Sequence, residues 1–149
     1  MRWKSCCYWV CVKLRVFVFS ACLTEEIVSG LDCVGRVWDT RTGRSAMTLE
    51  GHVKDILGLD WSPNGYHLAS ASADNTVKIW DMRTLRNIYT ISAHSSLVSD
   101  VKYNRDGYYL ATTGYDGCVK IWSGDDFRLI KSMEGHESKV MGLDISHGK

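Results

Sequence analysis

The sequence contains no G-x-G-x-x-G or phosphate-binding loop, no C-x-x-C pair, and no Cys-His nucleophile arrangement with a supporting motif. Nucleotide-dependent chemistry, a thiol redox centre, the common zinc spacings and cysteine-type catalysis therefore have no starting point in it. Long apolar runs are also missing. Within the first 24 residues the longest stretch without a charge is Val16 to Thr24, far below the roughly 20 residues that a membrane-spanning helix requires. That segment is basic and then apolar, like a secretory leader, but Lys13 and Arg15 interrupt the apolar part, and it is not expected to work as one. Charge is scarce in the sense that matters for nucleic acids. The net charge is +1, and Arg2, Lys4, Lys13 and Arg15 concentrate base at the N-terminus, so the rest of the chain carries more acid than base. Direct RNA or DNA binding by that part is not expected. Of the six cysteines, Cys6, Cys7, Cys11 and Cys22 cluster at the N-terminus while Cys33 and Cys118 stand alone. They read as reduced thiols of an intracellular protein.

What is present is a repeat. Trp38, Trp80 and Trp122, then Asp32, Asp74 and Asp116, then His52, His94 and His136, all recur at intervals of 42 residues. Three residue types in phase at a period of about 40 to 45, with Gly-His and Trp-Asp pairs, mark the blades of a β-propeller. Inside one period the signals are those of strands and tight turns. Ile56 to Trp61 is a short apolar strand ending at Ser62-Pro63-Asn64-Gly65, where proline at the second position and glycine at the fourth suit a type I turn. Asn104-Arg105-Asp106-Gly107 holds the same place one period on. His67 to Ser72 and Thr76 to Asp81 form a predicted hairpin around Asp74-Asn75, repeated at Asp116-Gly117, and Asn87 to Ile91 supplies a fourth strand. No segment has sustained helical periodicity, so the expected fold is all-β.

Ser70, His52 and Asp74 contain the three residue types of a hydrolase triad, and Thr112, His94 and Asp116 repeat them. The repetition itself argues against catalysis, because a hydrolase needs one exposed nucleophile with an oxyanion site. A constellation recurring once per blade points to a structural task recurring once per blade. A buried indole N–H needs an acceptor, which a hydroxyl supplies, while imidazole and carboxylate satisfy each other. The three histidines do not converge as metal ligands, since they lie one blade apart. Tyr66, Tyr108 and Tyr109, beside the turns, are candidates for interface anchors and equally for packing between blades. Trp61, at the end of an inner strand, is expected in the core.

Gly51-His52, Asp74 and Trp80-Asp81 resemble the WD40 family, and Ala93-His94, Asp116 and the Val119-Lys120-Ile121-Trp122 strand resemble it less completely. The resemblance covers about Gly30 to Ser146. It implies an incomplete WD40 propeller of about two whole four-stranded blades and two partial ones. Residues 1–29 would be a divergent segment with degraded or replaced first-blade strands, with Val28 standing where Ser70 and Thr112 stand later. Residues 30–146 would hold the repeats, with Val140 to Ile145 starting another inner strand, and 147–149 a truncated end. It also implies a hydrogen-bond network of His52, Ser70, Asp74 and Trp80 in one blade and His94, Thr112, Asp116 and Trp122 in the next. Such blades bind proteins at their rims and central channel, with no enzymatic activity, no cofactor and no small-molecule substrate.

More particular strings, among them Gly35-Arg36-Val37-Trp38-Asp39, Glu50-Gly51-His52-Val53-Lys54, Asp74-Asn75-Thr76 and Tyr89-Thr90-Ile91-Ser92-Ala93-His94, resemble the WD-repeat proteins of the spliceosomal U4/U6 small nuclear ribonucleoprotein. That resemblance implies a nuclear scaffold contacting splicing proteins of the U4/U6 and U4/U6.U5 particles, associated with RNA indirectly. Trp80-Asp81-Met82-Arg83 and Trp38-Asp39-Thr40-Arg41 also fit the W-D-x-R pattern of WD40 substrate receptors of cullin-RING ubiquitin ligases. A third reading is a truncated product with no independent function.

Overall fold

A computed structural model describes residues 16–19, 25–29, 32–39 and 42–146, the first two segments as backbone strands. Among these residues twelve strands occur: β1 (Val16–Phe19), β2 (Glu25–Ser29), β3 (Gly35–Asp39), β4 (Arg44–Leu49), β5 (Ile56–Trp61), β6 (His67–Ser72), β7 (Thr76–Asp81), β8 (Arg86–Ser92), β9 (Val98–Tyr103), β10 (Tyr109–Gly114), β11 (Cys118–Ser123) and β12 (Leu129–Glu134). They form three antiparallel four-stranded sheets, each in sequence order: β1 to β4, β5 to β8, and β9 to β12. The architecture is an incomplete propeller, and we refer to the sheets as blades one, two and three.

The turns explain why the strands stop where they do. Gly65 closes its turn through a 3.0 Å bond from its N–H to the Ser62 carbonyl at φ 79°, and Gly107 does the same to Asn104 at 2.8 Å and φ 76°. Such left-handed backbone is where glycine carries no Cβ penalty. The β6–β7 hairpin uses Asn75 in that region, a residue that tolerates it, where the β10–β11 hairpin has Gly117.

The core lies between the sheets. Val37, Met47 and Leu49 of blade one pack with Ile56, Leu59, Trp61, Leu68 and Trp80 of blade two. Ala69, Ala71, Val77, Ile79 and Ile91 of blade two then pack with Val98, Val101, Tyr103, Leu110 and Trp122 of blade three. Small residues in β6 let β9 approach its face. Each fully buried Leu, Ile or Val removes enough apolar surface from water to stabilise the fold by about 1.5–3 kcal/mol, so the seams hold the blades together. Trp61 sits in this core, as its position at a strand end implies.

The expected fold, an all-β and incomplete propeller, is borne out, and two details of it differ. The first sheet is four-stranded, so the described residues make three four-stranded sheets in place of two whole blades and two partial ones. Backbone pairing requires only β-compatible residues in register, and β1 and β2 supply them without the repeat's signature side chains. The phase is kept: Val28 pairs with Arg36 just as Ser70 pairs with Lys78 and Thr112 with Lys120. Residues 140–145, expected as an inner strand, are not one. No following strand is present among the described residues to pair with them. They are held beside blade three through the Val140 N–H to the Gly114 carbonyl at 3.3 Å, the Ser99 hydroxyl to the Val140 carbonyl at 2.7 Å, and the Leu143 N–H to the Asp100 carboxylate at 3.3 Å. The expectations about Lys13, Arg15 and the N-terminal cysteines, and the 147–149 end, lie outside the described residues.

Candidate functional site

The repeated residues meet inside blades two and three. In blade two the Trp80 indole donates Nε1–H to Ser70 Oγ at 2.9 Å, Ser70 Oγ lies 2.7 Å from His52 Nε2, and His52 Nδ1 lies 2.8 Å from Asp74 Oδ2. In blade three Trp122 donates to Thr112 Oγ1 at 3.0 Å, Thr112 lies 2.9 Å from His94 Nε2, and His94 Nδ1 lies 2.9 Å from Asp116 Oδ1. All eight sequence candidates are thus brought together, four to a blade. Each hydroxyl sits on the second strand of its blade, each indole on the third, each carboxylate in the hairpin between them, and each histidine in the loop entering the blade. One chain of hydrogen bonds therefore ties four parts of a blade.

The protonation pattern follows. Burial pushes the His52 and His94 imidazoles below their ordinary value, against the pull of Asp74 and Asp116. Burial opposes ionisation of Asp74 too, but bonds from the Thr76 hydroxyl, His52 and the Val53 N–H outweigh it and hold the carboxyl down to about 2. Asp116 is lowered likewise, where bonds from the Cys118 N–H, His94 and the Ser95 N–H overcome burial. The stable arrangement is a neutral imidazole donating Nδ1–H to an ionised carboxylate and accepting at Nε2 from the hydroxyl. The hydroxyl oxygen in turn accepts from the indole.

A triad of this kind cannot attack a substrate. Ser70 and Thr112 are fully buried, and each oxygen is already engaged by the indole and the imidazole, so no reacting carbon can reach them. Among the described residues no group of three or more His, Cys, Asp or Glu side chains is placed to hold a metal ion, and no helix long and apolar enough to cross a membrane occurs.

Reading the sequence missed several members of the network. Thr76 donates its hydroxyl to Asp74 Oδ1 at 2.6 Å and its N–H to the same oxygen at 3.0 Å; its place two residues after the aspartate was the available signal. Two further bonds were missed: one between blades, from the Tyr103 N–H to Asp60 Oδ2 at 2.7 Å, and one from the Leu143 N–H, in the segment after blade three, to Asp100 Oδ2 at 3.3 Å. Asp60 and Asp100 do not share the 42-residue phase, so periodicity could not single them out.

Tyr66, Tyr108 and Tyr109 fall on the turn-bearing rim. Tyr66 is half-buried with the Arg83 guanidinium 3.9 Å above its ring, whereas Tyr108 and Tyr109 are exposed. Tyr66 and Tyr108 line a cleft of about 360 Å³ at the seam of blades two and three.

A sequence profile for the WD domain, G-beta repeat, matches residues 43–81 and 85–123, more than half of the chain. The chain belongs to the WD40-repeat family. WD40 repeats are in general non-enzymatic and serve as protein-interaction scaffolds. Individual relatives match over short stretches. Coronin-7 of Bos taurus is 38% identical over 50 residues, covering 34% of this chain and 6% of its own. Ribosome assembly protein 4 of Chaetomium thermophilum is 39% identical over 51 residues, covering 34% of this chain and 10% of its own. The Protein HIRA homolog of Drosophila melanogaster is 63% identical over 30 residues, covering 20% of this chain and 3% of its own. The chain thus spans no more than a tenth of these relatives' length.

Proposed function

We propose that this WD40 chain acts as a protein-protein scaffold of the nuclear U4/U6 particle in pre-mRNA splicing, contacting splicing proteins of the U4/U6 and U4/U6.U5 assemblies and touching RNA only through them. The observation that carries the scaffold part is the burial of every candidate nucleophile within the blades, which leaves rims and loops as the surfaces on which chemistry can be presented. The particular strings around Trp38, His52 and Asp74 carry the splicing part. The acid-leaning composition outside the N-terminus favours contact with proteins over direct contact with RNA.

Affinity purification of the tagged chain from nuclear extract, followed by mass spectrometry, tests this reading. Splicing proteins of the U4/U6 particle are the expected eluate. Cullin adaptors in their place would favour the substrate-receptor reading suited to Trp80-Asp81-Met82-Arg83, and an eluate of chaperones alone would favour a product without independent function.

A further inference from the structure

The seam cleft carries a difference between two otherwise equivalent turns. In blade two the Met82 N–H bonds the Tyr66 carbonyl at 2.9 Å, and in blade three the Gly124 N–H bonds the Tyr108 carbonyl at 2.7 Å. Next in line, the Arg83 N–H bonds the Asp81 carboxylate at 2.8 Å and the Asp125 N–H bonds the Ser123 hydroxyl at 3.4 Å. The two turns share this bond pattern, and Asp125, at the position of Arg83, lines the cleft together with Tyr108. The side chains are opposite in charge. Arg83 lays its guanidinium on the Tyr66 ring, 3.9 Å from the centroid, and is anchored by Asp81 at 3.2 Å. Blade three has Asp125 in the arginine's place and serine in the anchor's place, and the Tyr108 ring, 65% exposed, has no cation on it among the described residues.

The surroundings of Tyr108 are arranged for what is missing. Asp106 and Asp125 both line the cleft with Tyr66 and Tyr108, and neither carboxylate has an ion-pair or hydrogen-bond partner among the described residues. Gly124 keeps the turn tight against its neighbour: a Cβ there would collide with the Gly107 carbonyl oxygen, so no side chain from this position can fill the space.

We propose that this cleft receives an arginine side chain from a partner protein. Its guanidinium stacks on Tyr108 as Arg83 stacks on Tyr66, and its N–H groups are taken by the Asp106 and Asp125 carboxylates. Arginine fits better than lysine because a planar guanidinium combines ring stacking with forked donation to carboxylates, whereas an ammonium is a compact, strongly hydrated charge. The inference rests on the scaffold reading for the existence of a partner and names the chemistry that the partner presents.

The probe is acetyl-arginine methylamide at millimolar concentration with the 149-residue chain, read on the ligand by saturation-transfer NMR, a measurement that tolerates self-association of the protein. Saturable transfer to the arginine side-chain protons is expected, with the lysine analogue binding more weakly. Asp125→Arg, which puts an arginine beside Tyr108 at the position that Arg83 holds in blade two and removes one carboxylate, should weaken the arginine probe at least about tenfold, and Tyr108→Ala should do so as well. Both positions are exposed, and unchanged circular dichroism spectra and melting of Asp125→Arg serve as the folding control. Equal transfer to the unmodified chain and to Asp125→Arg, or equal binding of the lysine analogue, overturns the proposal. No partner protein enters this test, so its failure leaves the scaffold reading intact, and an eluate without splicing proteins leaves the cleft intact.

Discussion

Blade one and blade two share a backbone and differ in what fills it. At the repeat's tryptophan, Trp80 is 2% exposed and Trp38 is 38% exposed. At the repeat's aspartate, Asp74 receives the imidazole of His52, while Asp32 forms a surface pair with Arg36 at 2.9 Å. At the hydroxyl position, blade one has Val28. Strand pairing and register survive this loss, which teaches that the ladder of a blade is set by backbone hydrogen bonds and inter-blade packing, and that the buried network is an additional tie across loop, hairpin and sheet.

Substitutions at matched positions should separate the two blades. Trp80→Ala empties a core position and removes the indole donor, and it should cost about 3–5 kcal/mol in denaturant unfolding. Trp38→Ala should cost clearly less, and equal losses would erase the distinction between the blades. Ser70→Ala leaves the Trp80 N–H and His52 Nε2 without their partner in a buried setting, for an expected loss of about 1–3 kcal/mol. An unmoved denaturant midpoint would show that the hydroxyl is not part of the tie.

Acid provides a graded test of the same network. Folded His52 and His94 titrate below their ordinary value of 6.5, so the unfolded chain binds protons first, and stability that is complete above pH 6.5 declines as pH falls from there. Asp74, ordinarily at 3.8 and here about 2, adds a second decline between those values. Melting temperature followed from pH 8 to 4 should therefore fall on the acid side, and less steeply when His52 is replaced by Gln. Stability rising on acidification would contradict the neutral-imidazole arrangement. The smallest expected effect is at Asp32→Ala, within about 0.5 kcal/mol, because an exposed ion pair contributes little.

The sequence made the repeat legible because its network residues are rare types held in one phase, and the strands of blades two and three follow from turn residues such as Pro63, Gly107 and Gly117. Blade one's first strands were not legible, since Val16–Phe19 and Glu25–Ser29 carry none of the signature residues and periodicity registers side chains, not backbone ladders. The Asp60 bond across the seam to blade three and the Asp100 bond to Leu143 were hidden for a related reason, as both aspartates stand outside the repeat's phase. The charge exchange between Arg83 and Asp125 becomes meaningful only when Tyr66 and Tyr108 are seen under matching turns.

Equivalent positions also reveal which face is open. Val77 and Ile79 are fully buried beneath blade three, whereas Val119 and Ile121, one period later, are only half-buried. Ile91 is 4% exposed and Met133, its counterpart, 40%. An uncovered sheet face of this composition favours association. Light scattering on the 149-residue chain at micromolar concentration tests the open-propeller account most directly. The uncovered face of blade three should give a mass above that of one chain, returning to a monomer when further blades are joined to the C-terminus, and a stable, cooperatively unfolding monomer of the chain alone would contradict an open propeller.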